Sequence, residues 1–109
     1  LFFNIEFDFA SYTIKEPSMK IIEDVAKSLK NNPNLKIKVK GHTDDIGDEE
    51  VNLELSKERA LSVKKALIQL GIDNNRIISE GYGESKPMLP NTNDDNRKRN
   101  RRIEFEIIK

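Results

Sequence analysis

The sequence has no cysteine, a single histidine and no excess of charge of either sign. Without cysteine the chain can form no disulfide scaffold, no thiolate metal site and no cysteine nucleophile. The single histidine, His42, excludes a metal site built from several histidines. Because 19 basic and 19 acidic residues give a formal net charge of zero, no overall field attracts nucleic acid or an anionic membrane.

Long apolar runs are also missing. No segment approaches the ~18 apolar residues that read as a membrane-spanning helix, and no charged stretch leads into an apolar one as in a signal peptide. The chain has 109 residues, of which 36% are apolar and 35% are charged. We therefore expect residues 1–109 to form a single domain with one small core.

Short alternating and helical patterns follow one another along the chain. Four segments alternate apolar and polar residues as strands with one covered face do, and they carry Ile5, Phe7 and Phe9; Leu35, Ile37 and Val39; Ile77 and its neighbours; and Ile103, Phe105 and Ile107. Two segments with helical periodicity separate the first three, namely Met19, Ile22, Ala26 and Leu29, then Ala60, Val63, Leu67 and Leu70. The order β-α-β-α-β-β predicts an α+β fold, an α/β sandwich whose small mixed sheet carries two main helices on one face.

The helix ends are marked by residues typical of caps. Pro17 suits the first turn of the first helix, and Asp48 is a candidate N-cap of the second, which Gly71 ends. The connection from Glu84 to Asn100 is polar and has no apolar stripe, so we expect it to lack its own structure and to be functional or mobile.

One polar segment, "GHTDDIGDEEVNLELSKERA" at residues 41–60, raises the question of a binding site. Asp44 follows the second predicted strand, and ligands often lie at such strand ends in sheets with helical crossovers. In the second predicted helix Arg59 lies about two turns after Asn52, so the two share a face with Leu55. A fixed carboxylate and a fixed guanidinium either pair with each other or together hold a zwitterion. The residues alone leave both interpretations open.

Several motifs cover nearly the whole chain in a fixed order: "IEFDF" at 5–9, "GHTD" at 41–44, "NLELSKERALSVKKAL" at 52–67, "GYGESKP" at 81–87 and "NRRIEFEI" at 100–107. In this order they resemble the OmpA-like C-terminal domains that bind peptidoglycan. Peptidoglycan-associated lipoproteins and flagellar stator proteins carry relatives of that domain. The resemblance implies that the chain is the C-terminal part of a longer envelope protein, periplasmic and associated with the outer membrane.

The resemblance also implies a ligand and the residues that hold it. The ligand is the peptide stem of peptidoglycan, usually at a meso-diaminopimelate side chain that ends in both an ammonium and a carboxylate. Asp44 is expected to take the ammonium, and Arg59 the carboxylate. Further residues implied for the pocket are Phe9, Ala10 and Ser11 through backbone N–H groups, together with Asn52 and Leu55.

Other motifs lead to simpler interpretations. The acidic loop fails the EF-hand spacing, because Ile46 and Glu49 stand where ligands and glycine are required. The basic run "RKRNRR" at 97–102 contains no aromatic residue, so we expect Arg101 or Arg102 to pair with acids and not with nucleic acid. His42 has no evident catalytic partner, and we expect a half-buried, hydrogen-bonded ring that orients the turn. The sequence therefore predicts no enzyme, no metal and no cofactor.

Two functional hypotheses remain. The first is a non-catalytic domain that tethers an envelope protein to the cell wall by holding the peptide stem. The second is a structural or assembly domain in which Asp44 and Arg59 form an internal ion pair, and the loop between "GYGESKP" and "NRR" contacts a partner envelope protein.

Overall fold

The structure, a computed structural model, describes residues 2–3, 5, 7 and 11–108. The elements are β1 (Phe2–Phe3), α1 (Glu16–Asn31), β2 (Lys36–His42), α2 (Glu49–Gln69), a 3₁₀ turn (Asn74–Arg76), β3 (Ile77–Gly81), α3 (Asp94–Asn100) and β4 (Arg102–Ile108). The order of the main strands and helices is the one that the sequence predicts.

The strands form one mixed sheet in the order β1-β4-β2-β3. The central strands β2 and β4 run antiparallel, with Val39 opposite Phe105 and His42 opposite Arg102. β3 lies parallel to β2 on one side, and β1 lies antiparallel to β4 on the other. This arrangement brings the C-terminal end of β2 and the N-terminal end of β4 to the same edge of the sheet.

The core lies between one face of the sheet and the two long helices. Its members are Ile5, Ile22, Ala26, Leu29, Ile37, Val39, Ala60, Val63, Ala66, Leu67, Ile72, Ile77, Ile103 and Phe105. On the opposite face charged side chains pair across the strands, with Lys40 Nζ 2.5 Å from Glu106 Oε1 and Lys38 Nζ 3.4 Å from Glu80 Oε1. The alternation along β2 and β4 therefore separates an apolar face from a charged one, and the predicted α/β sandwich is confirmed.

The ends of α2 follow the predicted capping pattern. Asp48 Oδ1 accepts hydrogen bonds from the N–H groups of Glu50 at 2.8 Å and Val51 at 3.2 Å. At the other end the cap residue Leu70 is followed by Gly71, whose φ of 100° lies in the left-handed region that favours glycine. These ends fix where α2 begins, and hence where its polar first turns lie.

Two glycines allow α2 to lie close against the sheet. A Cβ atom on Gly41 would come within 2.3 Å of the Ser56 carbonyl oxygen, and one on Gly81 within 2.3 Å of the Lys57 nitrogen. No real side-chain carbon approaches backbone so closely, so both positions require glycine. The close approach brings the first half of α2 against the C-terminal ends of β2 and β3.

The connection from Glu84 to Asn100 differs from the sequence prediction. It contains α3, whose N-cap Asn93 accepts a hydrogen bond from the N–H of Asn96 at 2.8 Å. Acidic residues stand in its first turn and basic residues in its last, which matches the helix dipole. The prediction that this connection lacks its own structure is therefore wrong. Because α3 has no apolar stripe and its first turn is stabilised by a cap, apolar periodicity could not reveal it.

The first predicted strand is described only in part. Among its described residues, Phe2 and Phe3 pair with β4, and Phe7 forms an isolated antiparallel bridge with Ile14. Ile5 is buried in the core as the pattern predicts, and Phe9 lies outside the described residues. None of the described helices is long and apolar enough to cross a membrane.

Candidate functional site

Asp44 lies in the turn that follows β2, and it is almost fully buried. Its Oδ1 accepts a hydrogen bond from the Ile46 N–H at 3.0 Å, which fixes the plane of the carboxylate. The turn itself is tied down because the Thr43 N–H donates to the Gly83 carbonyl at 2.8 Å, and Thr43 Oγ1 donates to the Asp44 carbonyl at 2.9 Å. The carboxylate is therefore presented in one fixed direction.

Arg59 projects from the half-buried edge of α2, as the helical spacing predicts. Its Nε donates to the Ser11 carbonyl oxygen at 2.9 Å, and its guanidinium carbon lies 4.9 Å from the centre of the Phe7 ring. Burial, and then the positive charge of Arg101, lower the pKa of Arg59, whereas the negative charge of Asp44 raises it. The guanidinium is thus held in place within electrostatic range of Asp44 and remains charged.

The ion pair of Asp44 is formed with Arg101, the residue between α3 and β4. Arg101 Nη1 donates to Asp44 Oδ2. The side chain of Asp44 is only 8% exposed, whereas that of Arg101 is 46% exposed. Among the described residues Asp44 therefore pairs with Arg101 and not with Arg59, so the internal ion pair that the second hypothesis expected has a different cation.

A cleft of about 240 Å³ lies beside this cluster. Its described lining consists of Lys15, Arg59, Lys98, Arg101 and Arg102 with Ile5, Phe7, His42 and Ile103. All the charged residues of this described lining are basic, and the remainder is largely apolar. Such a lining suits an anionic group on an otherwise partly apolar ligand.

The other residues that the resemblance assigned to the pocket have different positions. Asn52 is buried, and its amide donates to the carbonyl of Ile46 at 2.9 Å, so it shapes the turn that carries Asp44. Leu55 is half-buried on α2, on the face that also carries Arg59. Neither is part of the described lining of the cleft.

The first-strand residues of the predicted pocket are described only in part. The backbone carbonyl of Ser11 receives the Arg59 hydrogen bond, and Ser11 Oγ accepts the N–H of Thr13 at 3.0 Å. Ser11 thus positions the guanidinium. Phe9 and Ala10 lie outside the described residues, so their expected backbone contacts to a ligand stay predictions.

Asn100 fixes the backbone from which Arg101 projects. Its side chain is fully buried. Oδ1 accepts the N–H groups of Met88 at 2.8 Å and Leu89 at 2.9 Å, and Nδ2 donates to the Leu89 carbonyl at 2.7 Å and to Asn91 Oδ1 at 2.8 Å. Sequence reasoning noticed the "NRR" motif but not this role. The antiparallel register of β4 on β2, which places Arg102 opposite His42, brings the motif to the site.

The basic run at 97–102 forms ion pairs, as predicted. Arg97 contacts Asp45, Arg101 contacts Asp44, and Arg102 Nε lies 2.7 Å from Glu104 Oε2.

Within the described part of the chain, no group of three or more His, Cys, Asp or Glu side chains could hold a metal ion.

His42 differs from its prediction. It is 4% exposed, and neither ring nitrogen has a hydrogen-bond partner among the described residues. Its ring stacks on the Tyr82 ring, with the two ring centres 5.4 Å apart. Lys86 Nζ lies over the Tyr82 ring, 4.2 Å from its centre. Burial, and then the positive charge of Arg102, lower the pKa of His42 to about 4. The expectation of a half-buried, hydrogen-bonded ring is wrong, because the connection after β3 packs over this end of the sheet.

Known proteins are similar to this chain in sequence and in fold. The OmpA family model matches residues 6–101. Outer membrane protein A of Bordetella avium is 41% identical over 102 residues, which cover 94% of this chain and 53% of that protein. The C-terminal domain of Helicobacter pylori MotB superposes with a TM-score of 0.88 at 32% identity, over 96% of this chain and 82% of that domain.

A second solved structure extends the comparison. The peptidoglycan-associated lipoprotein from Burkholderia pseudomallei also superposes with a TM-score of 0.88, at 30% identity, over 95% of this chain and 88% of its own length. The chain spans only about half the length of the Bordetella avium relative. The sequence similarity to this relative is therefore limited to the part of it that matches this chain.

Proposed function

Because the chain belongs to the OmpA family, we propose that it binds the peptide stem of peptidoglycan and anchors an outer-membrane or other envelope protein to the cell wall. Members of this family are structural or binding proteins and not enzymes, so binding involves no catalytic step. The site faces the periplasm, and residues 1–109 act as one domain of a longer envelope protein.

The observation that carries the proposal is that Arg59 is held within electrostatic range of Asp44. The two side chains come from different elements, and each is fixed by hydrogen bonds to the backbone, from Ile46 to Asp44 and from Arg59 to Ser11. A carboxylate and a guanidinium held in this way match a ligand that carries an ammonium and a carboxylate close together. The solved relative named for its association with peptidoglycan has the same fold.

The ligand that fits is the diaminopimelate side chain of the peptide stem. Its ammonium binds at Asp44, and its carboxylate accepts hydrogen bonds from the Arg59 guanidinium. The basic lining of the cleft, which includes Lys15 and Lys98, favours the further carboxylates of such a peptide. The apolar side chains of Phe7 and Ile103 in the same lining accommodate its methylene groups.

The strength of binding follows from the size of the site. A single small polar site provides modest affinity, because each charged group must lose water before it pairs. A wall polymer offers many copies of the same peptide, so repeated rebinding along the polymer provides much of the anchoring.

A second candidate function is supported by the Arg101 contact. Both oxygens of Asp44 have partners within the protein, namely the Ile46 N–H and the Arg101 guanidinium. A cluster satisfied in this way also suits a structural or assembly domain, in which the connection from Glu84 to Asn100 contacts a partner envelope protein. The two functions differ in whether a wall peptide changes the environment of Asp44.

The first test is a calorimetric titration with a diaminopimelate-containing muropeptide. We expect saturable binding by the wild type and a loss of about tenfold or more for Asp44→Asn, since a charged hydrogen bond contributes about 1.5–3 kcal/mol. Asp45→Asn is the matched control, because it removes the same charge at the neighbouring, exposed position. Arg59→Gln should weaken binding as Asp44→Asn does.

Thermal melting of each variant separates a binding defect from unfolding. Equal affinities for Asp44→Asn and Asp45→Asn, in variants that remain folded, would contradict the proposed site. Failure of the wild type to bind the muropeptide or to co-sediment with isolated wall sacculi would favour the assembly domain.

A further inference from the structure

We propose that Arg101 is a specificity-determining residue that occupies the ammonium site of Asp44 when no ligand is bound, and that the ligand must displace it. The inference rests on the proposed function in one respect: the natural ligand is taken to be the zwitterion described above. The contact between Arg101 and Asp44 does not depend on the identity of the ligand, because Arg101 Nη1 donates to Asp44 Oδ2 within the protein itself.

Each oxygen of the Asp44 carboxylate has a partner, and only the partner of Oδ2 is a side chain. Its Oδ1 is held by the Ile46 N–H at 3.0 Å, a backbone contact that the turn keeps in place. Its Oδ2 is the oxygen that Arg101 contacts. Because the Asp44 side chain is only 8% exposed, a ligand ammonium that contacts Oδ2 competes with the Arg101 guanidinium for this oxygen.

Arg101 is suited to leave that position. Its side chain is 46% exposed, whereas that of Asp44 is 8% exposed, so the guanidinium enters from solvent and can return there. Its backbone is fixed, because the Arg101 N–H donates to the Arg97 carbonyl at 3.1 Å and the preceding Asn100 is fully buried. The side chain can therefore move while its base stays at the rim of the cleft.

Displacement explains why both charges of the ligand are needed. Arg101 and Arg59 line the same cleft, and the negative charge of Asp44 lies in reach of both. Once an ammonium neutralises Asp44, the two guanidinium groups lack that shared counter-charge. A carboxylate on the same ligand restores it by accepting hydrogen bonds from Arg59 and from the released Arg101. A ligand with an ammonium alone offers Arg101 no new partner, so we expect it not to displace Arg101 from Asp44.

The proposal is tested with two muropeptides that differ by one group. One carries diaminopimelate with a free side-chain carboxylate, and the other carries the same residue with that carboxylate amidated. We expect the wild type to prefer the free carboxylate by about tenfold or more, a charged hydrogen bond being worth about that factor. Arg101→Gln should bind the amidated peptide several-fold more tightly than the wild type does, because its ammonium site is empty.

Two variants serve as controls. Arg99→Gln makes the same substitution at an exposed position of α3, outside the described lining of the cleft, and should bind both peptides as the wild type does. Arg101→Lys keeps a cation beside Asp44 and should restore the discrimination in part. If Arg101→Gln binds the amidated peptide no better than the wild type does, or loses both peptides while folded, the proposal is overturned.

A second readout does not depend on peptidoglycan binding. The Ile46 N–H contacts Asp44, so its amide chemical shift reports on a cation at the carboxylate. Titration with methylammonium should cause a saturable shift of the Ile46 amide in Arg101→Gln and none in the wild type or in Arg99→Gln. The same response in all three proteins would exclude Arg101 as the occupant of the site, whether or not the domain binds the cell wall.

Discussion

At the scale of single residues, His42 differs most from what its sequence context suggests. It is enclosed between the end of the sheet and the connection after β3, and it faces Arg102, Lys40 and Lys86 as well as Glu104. Three neighbouring cations and burial oppose protonation, while only the carboxylate favours it. A neutral ring stacked on Tyr82 is therefore part of the packing at neutral pH.

We expect the stability of the domain to fall between about pH 6.5 and pH 4 because of His42. Its pKa in the folded state is about 4, below the ordinary value of 6.5, so the unfolded chain binds the proton first as the pH falls. The contribution is complete above pH 6.5 and is lost progressively towards pH 4, up to about 3 kcal/mol. Urea unfolding at a series of pH values measures it.

The variant His42→Phe isolates this effect, since it keeps an aromatic ring beside Tyr82 and removes the titration. Its stability should vary less with pH over the same interval, and what remains reports on carboxylates such as Glu104. A histidine resonance in the folded wild type that titrates near its ordinary pKa would contradict the assignment.

At the scale of elements, the two long helices follow from sequence patterns and α3 does not. The steps of three and four residues along α1 and α2 predict their buried faces, and Asp48 predicts where α2 begins. The segment Asp94–Asn100 carries cap and dipole signals but no apolar stripe, so periodicity alone could not identify it. Its position depends on Asn100, whose partners at Met88 and Leu89 lie in the same connection.

The close contact of α2 with the sheet predicts a large effect at Gly41. We expect Gly41→Ala to destabilise the domain by about 3 kcal/mol or more, because the added carbon meets the Ser56 carbonyl and backbone must move. Gly71→Ala is the comparison, since its neighbour is the flexible end of Lys30 and only the left-handed φ is strained, at about 1–2 kcal/mol.

Chemical denaturation of both glycine variants measures the difference. Equal losses at the two positions would show that conformational strain, and not the approach of α2 to β2, sets the requirement for glycine at Gly41. A muropeptide titration of folded Gly41→Ala would add whether a shift of α2 moves Arg59 away from Asp44.

At the scale of the whole molecule, the described residues share one core. The buried side chains of α1 and α2 pack on the same face of β2 and β4, and Leu67 has no exposed surface. A single core of this kind is typical of one cooperative folding unit.

We therefore expect a single unfolding transition. Urea curves of a Tyr12→Phe variant followed by far-ultraviolet circular dichroism and by tyrosine fluorescence should coincide, because the remaining Tyr82 reports on the site and the dichroism reports on the helices. Leu67→Ala should shift both curves together, by about 2–5 kcal/mol. Separate transitions would indicate that the end of the sheet near His42 unfolds independently of the core.

The sequence by itself determined the order of the strands and of the two long helices, their buried faces and the family, and it predicted Asp44 and Arg59 as binding residues. These depend on local spacing and on motifs, which can be read along the chain. Only the tertiary structure decided that Arg101 is the partner of Asp44, that Asn100 holds the connection and that His42 is enclosed. The Arg101 contact depends on the antiparallel register of β4 on β2, which brings together two residues that are 57 positions apart. The roles of Asn100 and His42 depend on the connection after β3, which places Met88 and Leu89 against Asn100 and Tyr82 against His42.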